Sequence, residues 1–323
     1  MGAGGGGGGG GGGARAAARL LERAFFPLLL AAVAAGLAAP GLGRTLGGAV
    51  LPLFALMMLA VSLTFHAGDV HEAVRDPLAV VLAALAVFGP LPVVARVAAP
   101  ALYGPGVLAL GFVLLAALPT DISAPLFTAM GRGNTALAAV VNAWVTALSP
   151  AVVPAWLLAL TGLHLSIPLG AFILQLAGVV LLPTAAGVGA RTRWPALGAY
   201  DAVWQGVAAL MYVVLVAAVV AEDAGRLTAL GWKVAGVAAG VVALNALGYL
   251  LGLVPWRLSR HRRPRDRLAF VLAVGEKEFS VAVAAVYAGG LDRGLLVPAV
   301  AASVLQVATA ALLARAARRH TGA

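Results

Sequence analysis

Apolar stretches about as long as a lipid bilayer is thick recur along the whole chain, and no other feature restricts the fold so tightly. A helix needs about 20 apolar residues to cross roughly 30 Å of hydrocarbon. Runs bounded by Gly, Pro and charge fall at 24–39, 46–65, 77–97, 106–131, 136–160, 167–190, 196–221, 229–254, 267–289 and 294–314. Only 11% of the 323 residues are charged, against roughly 25% in an ordinary soluble domain, so the chain cannot cover itself with a solvated surface. The expected fold is an all-α polytopic membrane protein whose ten transmembrane helices form one domain, 24–314. Residues 1–23, opening on "MGAGGGGGGGGGGA", read as a disordered Gly-rich and basic tail, and 315–323 as a basic C-terminal tail. The segment 1–40 also has a slight likeness to a signal peptide, with Arg15, Arg19 and Arg23 ahead of an apolar run that ends in "AAGLAAP". An uncleaved first span is the preferred reading, because the topology then closes.

Ten spans put both termini on one side of the membrane, which turns the loop charges into a test. Sixteen basic residues fall on the terminal side, six of them in the loop 256–267, and five on the other. That excess is expected to hold both termini in the cytoplasm, in the plasma (inner) membrane. The net charge of +10 is then mostly a topogenic signal, with contact to anionic lipid, and not a mark of nucleic-acid binding. The chain has no cysteine, which excludes disulfides, thiolate metal sites and a Cys nucleophile. No phosphate loop, zinc pattern or nucleophile elbow stands out, and His66 and His71 sit in a loop without metal-site spacing. An enzyme and a cofactor are therefore not expected.

One basic residue, Lys277, belongs to no loop. It lies in "LAFVLAVGEKEFSVAVAAVY" (268–287), between Glu276 and Glu278, and the remaining deep charge, Asp121, lies in the fourth stretch. Charge in hydrocarbon is costly and commonly marks a pathway or binding site. In the fourth stretch Pro119 and Pro125 flank "TDISA", and a proline removes a backbone donor and disrupts the preceding turn. Two half-helices with an unwound crossing follow, and such backbone survives at membrane depth only where it is buried in protein or lines a cavity. The ninth stretch is the fourth of a second five-span half. An odd repeat unit inverts one half against the other, so the two broken helices, four and nine, should cross near the midplane, the layout of a transporter site. Asp121, Ser123 and Gly131 have weak counterparts in Glu278, Ser280 and Gly289.

These residues resemble a known family. "PTDISAPLFTAMGRGNTALAAVVNAWVTALSPAVVP" (119–154) is similar to the fourth-to-fifth helix region of the bile acid:sodium symporter superfamily, and "GEKEFSVAVA" (275–284) falls on its ninth-helix motif. The resemblance covers roughly 50 residues and is topological elsewhere. It implies a panel domain (helices 1, 2, 6, 7) that moves against a core domain (helices 3–5, 8–10). Aligned on the turn Gly133–Asn134, it sets Ala124 and Pro125 where a Ser–Asn pair usually binds sodium. Thr128 is retained, Ala138 replaces a hydroxyl and Asn142 falls on another ligand position. In helix nine Ala273 falls on the usual Glu and Lys277 on the usual Gln. The resemblance thus implies transport without carrying sodium coupling with it. Arsenite permeases of the same superfamily typically rely on a cysteine that this chain lacks, which leaves arsenite or metalloid efflux as a minor alternative.

The expected function is secondary active transport of a small organic anion, with the candidate substrate and ion site made of Asp121, Ser123, Thr128, Asn142, Glu276, Lys277, Glu278 and Ser280. Asp121 and Glu278 would handle the coupling cation, with a proton favoured over sodium. Lys277 would neutralise the acids, contact the substrate anion or stand in for a sodium ion. Blander readings exist: Asp121 as a helix cap, the three adjacent charges as a neutral cluster that stabilises the break, and Asn142 and Gln306 as interhelical hydrogen bonds. Gln175, Gln205 and Asn245 also lie in spans. Sodium-coupled symport with rearranged ligands is the alternative, and a membrane receptor or intramembrane enzyme the outlying ones.

Overall fold

The computed structural model describes residues 10–64, 77–161, 169–259 and 263–320. The first nine residues of the N-terminal tail, the loop with His66, His71 and Arg75, the start of the sixth expected span, Arg260 and Arg262, and the last three residues lie outside the described residues. Regular structure among those described is helical throughout. Six stretches, Pro77–Tyr103, Thr135–Leu160, Leu169–Arg193, Pro195–Glu222, Lys233–Leu258 and Arg293–Arg319, are long and apolar enough to cross a membrane. Four shorter apolar helices, Ala24–Ala38, Gly47–Ser62, Val107–Ala117 and Phe279–Ala288, accompany them. Leu174, Leu182 and Val97 are exposed on the outside, as lipid-facing side chains are.

Helix α1 (Gly10–Ala38) starts earlier than the expected first span. Residues 10–23, read as part of a disordered tail, are helical, because "ARAAARLLER" is made of the strongest helix formers. After α2 (Gly41–Leu46) and α3 (Val50–Ser62), the third stretch divides at Gly89 into α4 (Pro77–Phe88) and α5 (Pro90–Tyr103). Pro90 at the start of α5 accounts for the interruption. The fourth stretch divides as expected into α6 (Val107–Ala117) and α7 (Ala124–Met130). There follow α8 (Thr135–Thr161), α9 (Leu169–Arg193), α10 (Asp201–Glu222), α11 (Ala224–Ala229), α12 (Lys233–Leu251) and α13 (Leu253–Leu258). The ninth stretch divides into α14 (Pro264–Gly275) and α15 (Phe279–Ala288). The last helix, α16 (Val297–His320), carries most of the segment read as a C-terminal tail.

Helix α10 packs on α1 and α3, and α3 on α9, while α8, α12 and α16 pack on the halves of the broken helices, α6 with α7 and α14 with α15. Small residues set how closely the second set approaches. A Cβ on Gly248 would lie 2.7 Å from Gly275 Cα, and one on Gly252 would lie 2.5 Å from Phe270 O. This contact of α12 with α14 brings Asn245 within reach of the end of α14, where its Nδ2 donates to Gly275 O at 2.7 Å. The turn Gly133–Asn134 docks the start of α8 on α14: Asn134 N–H donates to Arg265 O at 3.0 Å and its Nδ2 to Asp266 Oδ1 at 2.8 Å. Both ends of α14 are thereby fixed, one against α12 and the other against the turn before α8.

Candidate functional site

Each break supplies the hydrogen-bond partners that the other lacks. Leu118 is extended (φ −69°, ψ 152°), as are Glu276 (φ −82°, ψ 133°) and Glu278 (φ −75°, ψ 98°). The two unwound segments meet antiparallel at Thr120 and Lys277. Asp121 N–H donates to Glu276 O at 3.2 Å, and Glu278 N–H donates to Pro119 O at 3.0 Å. Backbone groups that would go unpaired in a low-dielectric interior are satisfied across the crossing. Thr120 adds its hydroxyl to Ala273 O.

The side chains at the crossing are almost entirely buried: Asp121 is 2% exposed, Glu276 0%, Lys277 1% and Glu278 2%. Lys277 does not turn to its acidic neighbours. Its Nζ donates to Val87 O at 2.9 Å and to Leu118 O at 3.1 Å. The two acceptors are carbonyls from the end of α4 and from the residue after α6. Among the described residues no Lys or Arg forms an ion pair with Asp121, Glu276 or Glu278, so neutralisation through Lys277 contact, one of the sequence readings, is not the arrangement found. Lys277 is not among the residues that line the cavity described below.

Each acid has its own neutral donors. Asp121 Oδ1 accepts from Ser123 N–H at 2.7 Å and from the Ser123 hydroxyl, and Oδ2 accepts from Gln306 Nε2 at 2.8 Å. Helix α7 has Ser123 as its N-cap, with no side-chain capping bond, so Asp121 closes a turn ahead of the helix and does not cap it. The capping role belongs to Glu278, which precedes α15 and accepts from Ser280 N–H at 3.2 Å and from its hydroxyl. Its other oxygen takes Ile122 N–H at 2.8 Å, from the opposite break. Glu276 Oε1 accepts from the Tyr249 hydroxyl, which also meets Thr309 Oγ1 at 2.8 Å, while Glu276 Oε2 has no hydrogen-bond partner among the described residues.

The remaining candidates divide. Asn142 joins the crossing, with Nδ2 donating to Asp121 O at 3.0 Å and Oδ1 accepting from Thr146 at 3.0 Å. Thr128 does not, since its hydroxyl returns to Ala124 O of its own helix at 2.7 Å. Gln306, weighed in the sequence only as an interhelical contact, is central. Its Oε1 accepts Lys277 N–H at 3.1 Å, and its Nε2 donates to Lys277 O at 2.9 Å as well as to Asp121. Tyr249 carried no sequence signal beyond being an aromatic with a hydroxyl in an apolar run. Gln175 is exposed, and Gln205 faces the cavity.

That cavity, about 1450 Å³, lies between α1, α3 and α10 on one side and α7, α8 and α16 on the other. Phe25, Phe26, Met57 and Tyr212 give it apolar walls, Asp121, Ser123 and Asn142 form its polar end, and Arg315 and Arg318 stand on its wall near the end of α16. A membrane-embedded cavity that ends on the meeting of two broken helices defines a transporter. The chain belongs to the sodium bile acid symporter family, whose model matches residues 51–230. That match takes in the first broken helix and stops short of the second. A relative from Bacillus subtilis (strain 168), "Uncharacterized sodium-dependent transporter YocS", is 28% identical over 242 residues, 74% of this chain and 74% of its own length. The chain is accordingly a multi-pass secondary transporter of a small molecule, and not an enzyme.

Gln306→Leu should show how far the crossing depends on one amide. The substitution leaves Asp121 Oδ2 and both backbone groups of Lys277 short of a partner, at about 1–3 kcal/mol for each buried unsatisfied group. The expected result is a clear fall in the thermal unfolding midpoint of the purified protein; an unchanged midpoint would show that these groups find other partners.

Proposed function

We propose that the chain carries a small organic anion by alternating access and couples the movement to a cation, with a proton favoured over sodium. In this reading the broken helices are helices four and nine of ten, the fourth members of two inverted five-helix repeats. Their antiparallel meeting is what a pseudo-two-fold axis in the membrane plane would produce. Helices α1, α3, α9 and α10, with the short α2 and α11 attached to them, form the panel that moves, and the remainder form the core. With the termini in the cytoplasm, the cavity opens inward. Its apolar walls suit the body of an organic anion, and Arg315 and Arg318 offer positive charge to its acidic group.

The observation that carries the coupling assignment is the Lys277 Nζ seated on Val87 O and Leu118 O. A fixed charge there does for the crossing what a bound sodium would do, and it repels a second cation. Around the retained polar residues, Ala124, Ala138 and Ala273 contribute no side-chain oxygen. Asp121 reaches the cavity and is held by Ser123 and Gln306, so it can exchange a proton with water on the open side. Glu278, directly behind it through Ile122 N–H, is the second carboxylate of the relay. Sodium coupling is the second reading, favoured by the Bacillus subtilis relative, which is named as a sodium-dependent transporter.

Two substitutions separate these readings. Lys277→Gln removes the fixed ammonium and should create sodium dependence, read as sodium-driven uptake or sodium-dependent thermal stability; ion dependence unchanged from the parent would count against the stand-in role. Asp121→Asn should abolish transport while the yield of folded protein stays near that of the parent. Retained transport would remove Asp121 from the coupling step.

A further inference from the structure

Helix α10 carries the cavity lining at one end and a cluster of charges at the other. Asp201, its first residue, lies on the cavity wall, and Glu222, its last, is about 30 Å away along the axis. At that far end Glu222 Oε1 pairs with Arg293 at 2.8 Å, and Glu222 Oε2 accepts the Tyr287 hydroxyl. The Arg293 guanidinium lies over the Tyr287 ring, 3.5 Å from its centroid. Arg226 on α11 pairs with Asp223 at 3.2 Å and reaches across to Asp292 at 3.1 Å. The two cross-links run in opposite senses. An acid on the α10 side meets a base next to α16, and one turn further on a base on the α11 side meets an acid.

From this we infer that Glu222, Tyr287, Arg226, Asp292 and Arg293 form a latch that holds the two helix sets together on the face opposite the cavity. The inference rests on the alternating-access reading and gives the closed face its residues. Two pairs of opposite sense fix one register, because sliding either partner by a turn sets like charges together. Helix α2 seats the acid: a Cβ on Gly43 would lie 2.4 Å from Glu222 N. The latch is also weak enough to open. Glu222 and Arg293 side chains are 28% and 33% exposed, and those of Arg226 and Asp292 52% and 50%, so water screens each pair and each biases the closed state by only about two- to fivefold. A buried pair would lock the face shut; these can break in every transport cycle.

The chain has no cysteine, so one introduced thiol is a unique reporter. Val219 is fully buried on α10, one turn before Glu222 on the same helix face. In a Val219→Cys background, an impermeant maleimide added to the Arg293 face reacts at a rate set by the fraction of molecules open there. Glu222→Gln and Arg293→Gln should each raise that rate about two- to fivefold, and the charge-swapped pair Glu222→Arg with Arg293→Glu should bring it back towards the parent. Unchanged rates in both single variants would overturn the latch, as would a swapped pair that reacts as fast as the singles. The readout needs neither substrate nor ion, so it stands whatever becomes of the coupling assignment at Asp121. Separately, an Ala139→Cys thiol in the cavity should react from the Arg315 face; silence there would contradict the open cavity itself, which the latch variants do not test.

Discussion

The pairing of two unwound segments, held together by a lysine side chain that donates to two backbone carbonyls, is the constraint on which the rest of this structure depends. Breaking a helix inside a membrane exposes groups that lipid cannot satisfy. Here the two breaks lie against each other and share hydrogen bonds at Asp121, Pro119, Glu276 and Glu278. Pairing alone leaves carbonyls pointing inward, and Lys277 takes two of them, Val87 O and Leu118 O. Gln306 reads the Lys277 backbone from both sides and adds Asp121 to the same network.

From that crossing the functional geometry extends in two directions. Towards the end of α16 the helix sets separate around the cavity, with Asp121 and Asn142 at its inner limit. Towards the start of α16 they close on Tyr287, Arg293 and Glu222. Between the two, Tyr212 of α10 stacks edge-on with Phe279 of α15 at 5.9 Å, where the two helix sets touch at mid-depth. In the alternating-access mechanism proposed above, a rocking motion about this contact would open one end as it closes the other, without disturbing the hydrogen bonds at the crossing.

The breaks were legible in the sequence because proline and charge act locally: Pro119, Pro125 and the triplet Glu276 to Glu278 mark both of them. Membership of the family was legible from the same 50 or so residues. The partners were not. The acceptors of Lys277 are carbonyls, which every residue has, and they come from positions 87 and 118, far away in the chain. Gln306 looked like one of several polar residues in spans, and only its distance to Lys277 and Asp121 separates it from the exposed Gln175. Thr128 matched a ligand position by residue type, and its hydroxyl donates to Ala124 O of its own helix. Residues 10–23 were read by their glycines, while the Ala- and Arg-rich part that follows them forms a helix.

The central claim is that a fixed ammonium occupies the place of a bound ion at the crossing, and it can be tested without a known substrate. The measurement is thermal stability of the purified protein in sodium against choline salts, between about pH 5.5 and 8.5. An ion at 100 times its Kd stabilises the folded state by about 2.7 kcal/mol, which is readily seen. The account predicts no sodium-specific rise, together with a pH dependence of stability that Asp121→Asn alters. A sodium-specific rise in the parent protein would contradict it, because an ion site would then survive beside Lys277.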